Sequence, residues 1–223
     1  MNSKYEYAKE WDWSINKDSI WNEPCEESYF YCKKWKKEDG NKLLDLGCGL
    51  GRHSILFAQE GFDVTAIDLS EYGVNELNKK KDGLNINTYV CDMHDMPFED
   101  ESFDYIWAYH VISHTDTRGF KEVLREIKRV LKPNGEIYIS LSSKLSHNYT
   151  NENNPSIDQN TVIKMDDGPE KGVPHFYVDL SDIEELFDGF DLSRVRLIDD
   201  CLNSGVKKND VHYYINAYKR GNI

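Results

Sequence analysis

The segment Leu43-Leu44-Asp45-Leu46-Gly47-Cys48-Gly49-Leu50-Gly51-Arg52 limits the fold of this chain more than any other. A short apolar run ends in alternating glycines and passes into residues 52–60, whose apolar positions have helical spacing. This predicts a buried strand, a tight turn and a helix start. Glycine permits left-handed backbone and close approach of main chain to a ligand, and the first N–H groups of a helix lack partners within it. The loop is therefore a candidate binding site. Asp45 stands two residues before the first glycine, and position 52 is Arg, so the third glycine falls one residue early for a Gly-x-Gly-x-x-Gly dinucleotide loop. A carboxylate at that strand end repels a pyrophosphate and suits a ligand that carries a cation.

Downstream, short apolar runs alternate with amphipathic stretches as in successive βαβ units. Strands are predicted at 43–46, 64–67, 87–90, 103–107 and 137–141. A helix with Ser70 as N-cap runs through Leu77. Phe120, Val123, Leu124, Ile127 and Leu131 mark another, stopped by Lys132-Pro133-Asn134-Gly135. Residues 142–175 are rich in Ser, Asn and Asp and carry the turn signal Asp166-Asp167-Gly168-Pro169, which reads as an inserted lid loop. Ser181 is expected to cap a helix over 183–187, followed by strands at 195–198 and 212–218, the last antiparallel. Residues 1–38 hold Trp11, Trp13, Trp21 and Trp35, with Tyr5, Tyr7, Tyr29, Phe30 and Tyr31, but no strand pattern. They are expected to form one or two helices as an aromatic cap on a domain spanning 39–223.

At 223 residues the chain accommodates one α/β domain and a small cap. No run approaches the 18 apolar residues of a membrane span, and the first residues lack a signal-peptide pattern. Five scattered cysteines without a Cys-x-x-Cys pair read as reduced thiols, hence a cytoplasmic protein. A net charge of −13 argues against nucleic acid as a partner. The basic runs Lys33-Lys34-Trp35-Lys36-Lys37 and Lys79-Lys80-Lys81 sit near expected helix ends, where cations suit the macrodipole.

The chain resembles the class I, Rossmann-like S-adenosylmethionine (SAM)-dependent methyltransferases of the type 11 kind. Asp45, Gly47, Gly49 and Gly51 match their Asp/Glu-x-Gly-x-Gly-x-Gly motif. Ala66-Ile67-Asp68-Leu69-Ser70 resembles the second motif, whose acid holds both ribose hydroxyls. Cys91-Asp92-Met93-His94-Asp95-Met96-Pro97-Phe98 resembles the third, where the acid meets the adenine amino group and the next residue packs on the ring. Phe103-Asp104-Tyr105-Ile106 and Leu131-Lys132-Pro133-Asn134-Gly135-Glu136 match the fourth- and fifth-strand signatures. The resemblance covers residues 40–142. It implies a doubly wound, mostly parallel seven-stranded sheet with an antiparallel C-terminal strand. It also implies cofactor contacts at Asp45, Gly47, Cys48, Gly49, Gly51, Asp68, Leu69, Asp92, Met93 and Tyr109, with S-adenosylhomocysteine as product.

Methyl transfer from a sulfonium needs alignment and exclusion of water more than acid–base help. The resemblance implies Tyr109 and His110 as the candidates beside the methyl; His175, after the lid, reads either as a third candidate reaching the pocket or as a turn histidine. His114 reads as packing, and His53 as a cofactor neighbour or surface group. His110 and His114 have the i, i+4 spacing of a metal pair, but no third ligand is suggested, so no metal is expected. No Asn/Asp-Pro-Pro-aromatic tetrapeptide follows the fourth strand and no cysteine pair is present, which favours a small-molecule acceptor. Two alternatives stay open: a non-catalytic SAM-binding regulator or partner subunit, and an NAD-dependent oxidoreductase.

Overall fold

β1 (Lys42–Leu46) is buried at every position after its first residue, which places it inside a sheet with both faces covered. It pairs in parallel with β2 (Asp63–Asp68) on one side and β4 (Phe103–Ala108) on the other. β3 (Ile86–Val90) adds to β2 and β5 (Leu131–Ser143) to β4, both in parallel. The structure, a computed structural model, describes residues 13, 19–166, 170–201 and 209–221.

The crossover helices form where the periodicity placed them. They are α2 (Arg52–Gln59), α3 (Glu71–Lys80) and α4 (Thr117–Val130). Ser70 caps α3 by accepting from the Gly73 N–H, and Asp116 caps α4 by accepting from the Gly119 N–H. α4 buries Phe120, Val123, Leu124, Ile127 and Val130 on one face of the sheet. Lys33 and Lys34, and then Lys79 and Lys80, lie in the last turns of α1 (Glu26–Trp35) and α3.

β10 (Asp210–Lys219) runs antiparallel between β5 and β9 (Phe190–Asp200). The order β3-β2-β1-β4-β5-β10-β9 is the expected seven-stranded sheet with one antiparallel strand. The long polar segment adds three more strands. After α5 (His147–Thr150) come β6 (Ser156–Asp158), β7 (Thr161–Ile163) and β8 (Pro174–Val178). β8 pairs in parallel with Ser142 and Ser143 of β5, past the last β4 pair at Ala108 and Ile139. It therefore extends the sheet over the carboxyl end of β4, where ligands bind such sheets. At three residues each, β6 and β7 are too short to show alternation, which is why the segment reads as loop.

Two readings are corrected. Ser181 does not cap the helix α6 (Leu180–Leu186); Asp179 does, in a reciprocal capping box with Asp182, while the Ser181 hydroxyl donates to Asp179. Asp179→Ala is expected to cost about 1 kcal/mol of stability, read by urea denaturation. Trp35, grouped with the cap, belongs to the core: it is fully buried and stacks on Tyr105 at 4.7 Å. Tyr31 and Cys32 join it, so α1 packs on the sheet face opposite α4, against Phe57 and Trp107, whereas Tyr29 and Phe30 are exposed. Tyr5, Tyr7 and Trp11, and residues 167–169 of the turn signal, lie outside the described residues. Among the described residues no helix is long and apolar enough to cross a membrane.

Candidate active site

The glycine loop is held by main chain on one side and by a carboxylate on the other. Gly47 and Cys48 both donate their N–H groups to the Ile67 carbonyl, at 2.8 and 2.9 Å. Gly49 donates to Asp68 Oδ2 at 2.7 Å, and Ser70 to Asp68 Oδ1 at 2.8 Å. Gly47 and Gly49 have φ of +73° and +53°. A Cβ on Gly47 would fall 2.2 Å from Val111, and one on Gly49 2.5 Å from the Trp13 ring. The Gly49 N–H, in the turn where a dinucleotide phosphate would bind, is thus committed to Asp68.

Asp45 lies behind this loop, 2 % exposed, and accepts from the Ser54 hydroxyl at 2.5 Å. Burial pushes its carboxyl up to about 7, with Ser54 and Arg52 pulling the other way. A carboxyl whose folded value lies above its unfolded one contributes stability that is full below about pH 4 and is lost as pH rises through 7. Asp45→Asn is expected to flatten that decline. The check is urea unfolding of both proteins at pH 5 and 7.5; equal pH dependence would contradict it.

A cavity of about 610 Å³ opens at the carboxyl ends of the strands. Of the expected cofactor residues, Gly47, Asp68, Leu69, Asp92, Met93 and Tyr109 line it. Asp45, Cys48, Gly49 and Gly51 do not; they form or support the loop. Asp92 accepts from the His94 N–H at 2.9 Å and is 2.5 Å from the His94 ring. Tyr109, His110 and His175 all line the cavity, as does His114. His53 is neither a lining residue nor a surface group. It is buried, and its Nε2 accepts from the Cys25 N–H at 3.2 Å, anchoring the start of α1.

His110 has φ of +54°, left-handed backbone that a non-glycine residue seldom adopts, and its N–H donates to Ser140 Oγ at 2.6 Å. That turn places its ring 4.3 Å from Tyr109 and 4.4 Å from His212. Burial, helped by His212, holds His110 well below the usual histidine range, so the imidazole is neutral near pH 7. Burial pushes the Tyr109 phenol far upward, so it keeps its proton. His212 and Tyr214 also line the cavity and were not anticipated; their two-residue spacing on β10 puts them on one face and was a usable signal. Lys164 and Glu170 gave no such signal.

The donor set fits SAM better than a nucleotide phosphate. Asp68 and Asp92 flank the loop end, and among the described residues lining the cavity the sole Lys or Arg is Lys164. Carboxylates facing a diol, an amine and a sulfonium are favourable where a pyrophosphate would be repelled.

Comparison with known proteins agrees with this geometry. A family model described as a methyltransferase domain matches residues 44–139. The chain is 40 % identical over 106 residues to a 24-methylenesterol C-methyltransferase of Arabidopsis thaliana, covering 45 % of this chain and 28 % of that one. It is 31 % identical over 142 residues to a glycine/sarcosine/dimethylglycine N-methyltransferase of Actinopolyspora halophila, covering 61 % and 24 %. The match thus spans about a quarter of the length of these two curated relatives. A solved SAM-dependent methyltransferase structure from Methanosarcina mazei superposes with a TM-score of 0.70 at 19 % identity, covering 90 % of this chain and all of that one, a likeness of fold. Residues 44–139 thus match a methyltransferase domain, set in a fold shared with a SAM-dependent methyltransferase.

Proposed function

We propose that this protein transfers a methyl group from SAM to a small-molecule acceptor. The observation that carries the reading is one continuous cavity. It runs from the acidic end at Asp68 and Asp92 to a polar end at His114, His175 and His212, beside Asn148, Lys164 and Glu170. Its volume, about 610 Å³, is in the ~300–1,000 Å³ range of pockets for a single drug-sized ligand, so a cofactor leaves room for a small acceptor only. The chain's net charge of −13 also disfavours a phosphate backbone.

SAM supplies an electrophilic methyl on sulfur. Asp68 and Asp92 would hold its nucleoside, with Leu69 and Met93 against the ring. Tyr109 and His110 stand at the end of β4 between the two halves of the cavity. The neutral His110 imidazole is able to take a proton from an acceptor, and the Tyr109 hydroxyl is able to orient one. Trp13, Trp21, Asn148, Lys164 and Glu170 line the cavity walls, and would act there as cap and lid.

The test is incubation with methyl-labelled SAM and cell extract separated by size. Label in the low-mass fraction, lost in Tyr109→Phe with His110→Ala while the protein still binds S-adenosylhomocysteine, is the expected result. Label confined to protein or nucleic acid would overturn the small-acceptor reading. SAM binding with no turnover in any fraction would favour a regulatory SAM-binding protein.

A further inference from the structure

The polar end of the cavity brings His114, after β4, together with Glu170 and His175, just before and on β8, three side chains able to ligate a metal. His175, on β8, is 4 % exposed. Its Nδ1 lies 3.0 Å from the Val173 carbonyl, which only accepts, so Nδ1 carries a proton. The other nitrogen, Nε2, is buried and makes no hydrogen bond. It faces Glu170 Oε1 at 3.5 Å, and His114 Nε2 lies 3.6 Å from the same oxygen. The three ligand atoms all fall within 4.8 Å of one another. The second oxygen of Glu170, Oε2, is taken by the Lys164 ammonium.

This arrangement sets the lone pair of a buried nitrogen against a carboxylate oxygen. Two acceptors so placed repel unless a proton or a metal cation lies between them. We propose that His114, Glu170 and His175 bind a divalent transition-metal ion of the zinc class, with its fourth position open to the cavity.

Four physical points support the assignment. With bonds of ~2.0–2.2 Å, the ligand atoms of a tetrahedral zinc ion stand roughly 3.3–3.5 Å apart, close to the two separations found. Two imidazoles and one carboxylate suit zinc, cobalt, iron or nickel, whereas calcium and magnesium take oxygen ligands. The Val173 carbonyl fixes the His175 tautomer, as outer partners of metal-bound histidines do. Lys164 restrains Glu170 so that a single oxygen remains for the ion. Three protein ligands with one open position is the arrangement of catalytic rather than structural zinc.

The open position suggests a substrate class, and this part rests on the methyl-transfer reading. A hydroxyl or thiol of the acceptor bound there would release its proton to solvent, because coordination lowers its pKa. The lone pair left on oxygen or sulfur forms the bond to the methyl carbon. The carbon–sulfur bond of the sulfonium breaks as it forms, and its electron pair stays on sulfur as a neutral thioether.

The test uses tag-free full-length protein stripped with chelator and titrated with Co²⁺. One equivalent is expected to bind, giving the visible absorption of a four-coordinate cobalt site that Zn²⁺ abolishes. Glu170→Gln and His114→Gln are expected to weaken binding by more than the ~10–100-fold seen for loss of an outer partner. An unchanged thermal midpoint and unchanged S-adenosylhomocysteine affinity show that both variants are folded; His175, more deeply buried, is not the test position. No Co²⁺ uptake by the wild type, or uptake that both variants match, would overturn the site. The titration needs no turnover, so the two readings fail separately. Methyl transfer without metal binding removes the site alone; metal binding without transfer removes the acceptor class and leaves the site.

Discussion

Gly49→Val is expected to weaken cofactor binding by more than about 100-fold while leaving the chain folded. Gly49 has φ of +53°, and left-handed backbone costs an L-residue about 1–2 kcal/mol. Its Cβ would lie 2.5 Å from the Trp13 ring, so either the ring or the loop must move. If the loop moves, the Gly49 N–H leaves Asp68, losing a hydrogen bond to a charged group of about 1.5–3 kcal/mol. The sum, roughly 2.5–5 kcal/mol, lies close to or above the ~2.7 kcal/mol that a 100-fold loss requires. Gly61 is the control. It has φ of +93° at the end of α2, and the nearest atom to its Cβ would be Lys36 Nζ at 3.3 Å. Gly61→Val therefore carries comparable strain away from the cavity and should lower the melting temperature without a selective effect on S-adenosylhomocysteine. Calorimetric titration of both variants decides. A folded Gly49→Val protein with normal affinity would contradict the placement of the ligand at this loop.

The glycine-loop end of the cavity was legible because one short stretch of chain builds it. Asp45 and Asp68 are separated by a single βα unit, so the sequence alone puts both at the carboxyl ends of neighbouring parallel strands. The spacing could not say which side of the loop each group would take. Asp45 went behind it, onto Ser54, and Asp68 went in front, into the cavity. The polar end was scarcely legible. His114, Lys164, Glu170, His175 and His212 span about a hundred residues, and they meet because β8 continues the sheet past the end of β4 while β10 pairs with β5. Those pairings come from strands with little or no readable period, one of them preceded by a two-strand excursion of three residues each. The cap of α6 shows the same limit at smaller scale. Asp179 and Ser181 are both good capping residues, and the choice fell to Asp179 because Asp182 stands where it completes a reciprocal pair. Trp35 was misplaced for a related reason: an aromatic-rich segment without periodic contrast does not show which of its rings faces the sheet.

Asp68→Ala is expected to weaken cofactor binding 10- to 150-fold, corresponding to about 1.5–3 kcal/mol. The carboxylate has two tasks that the substitution removes together. Oδ2 and Oδ1 hold the N–H groups of Gly49 and Ser70, and so fix the loop against the start of α3. A carboxylate oxygen is able to accept more than one hydrogen bond, and Asp68 lines the cavity, where a ribose diol would donate to it. Asp68→Asn separates the two tasks. Its amide oxygen is able to keep one N–H partner, but its NH₂ group opposes the other and cannot accept from a hydroxyl. Its affinity should therefore fall nearer to the alanine variant than to the wild type. Stability should fall less than affinity in both variants, because Asp68 is at a strand end and only partly buried, so that water is able to replace it. S-adenosylhomocysteine titration alongside thermal melting measures both quantities, and NADH gives a second comparison. The glycine spacing does not suit a pyrophosphate, so NADH should bind weakly to the wild type and to both variants. Wild-type affinity for S-adenosylhomocysteine in the alanine variant would remove Asp68 from the site. Strong NADH binding by the unaltered protein would instead reopen the dinucleotide reading that the glycine spacing and Asp45 argue against.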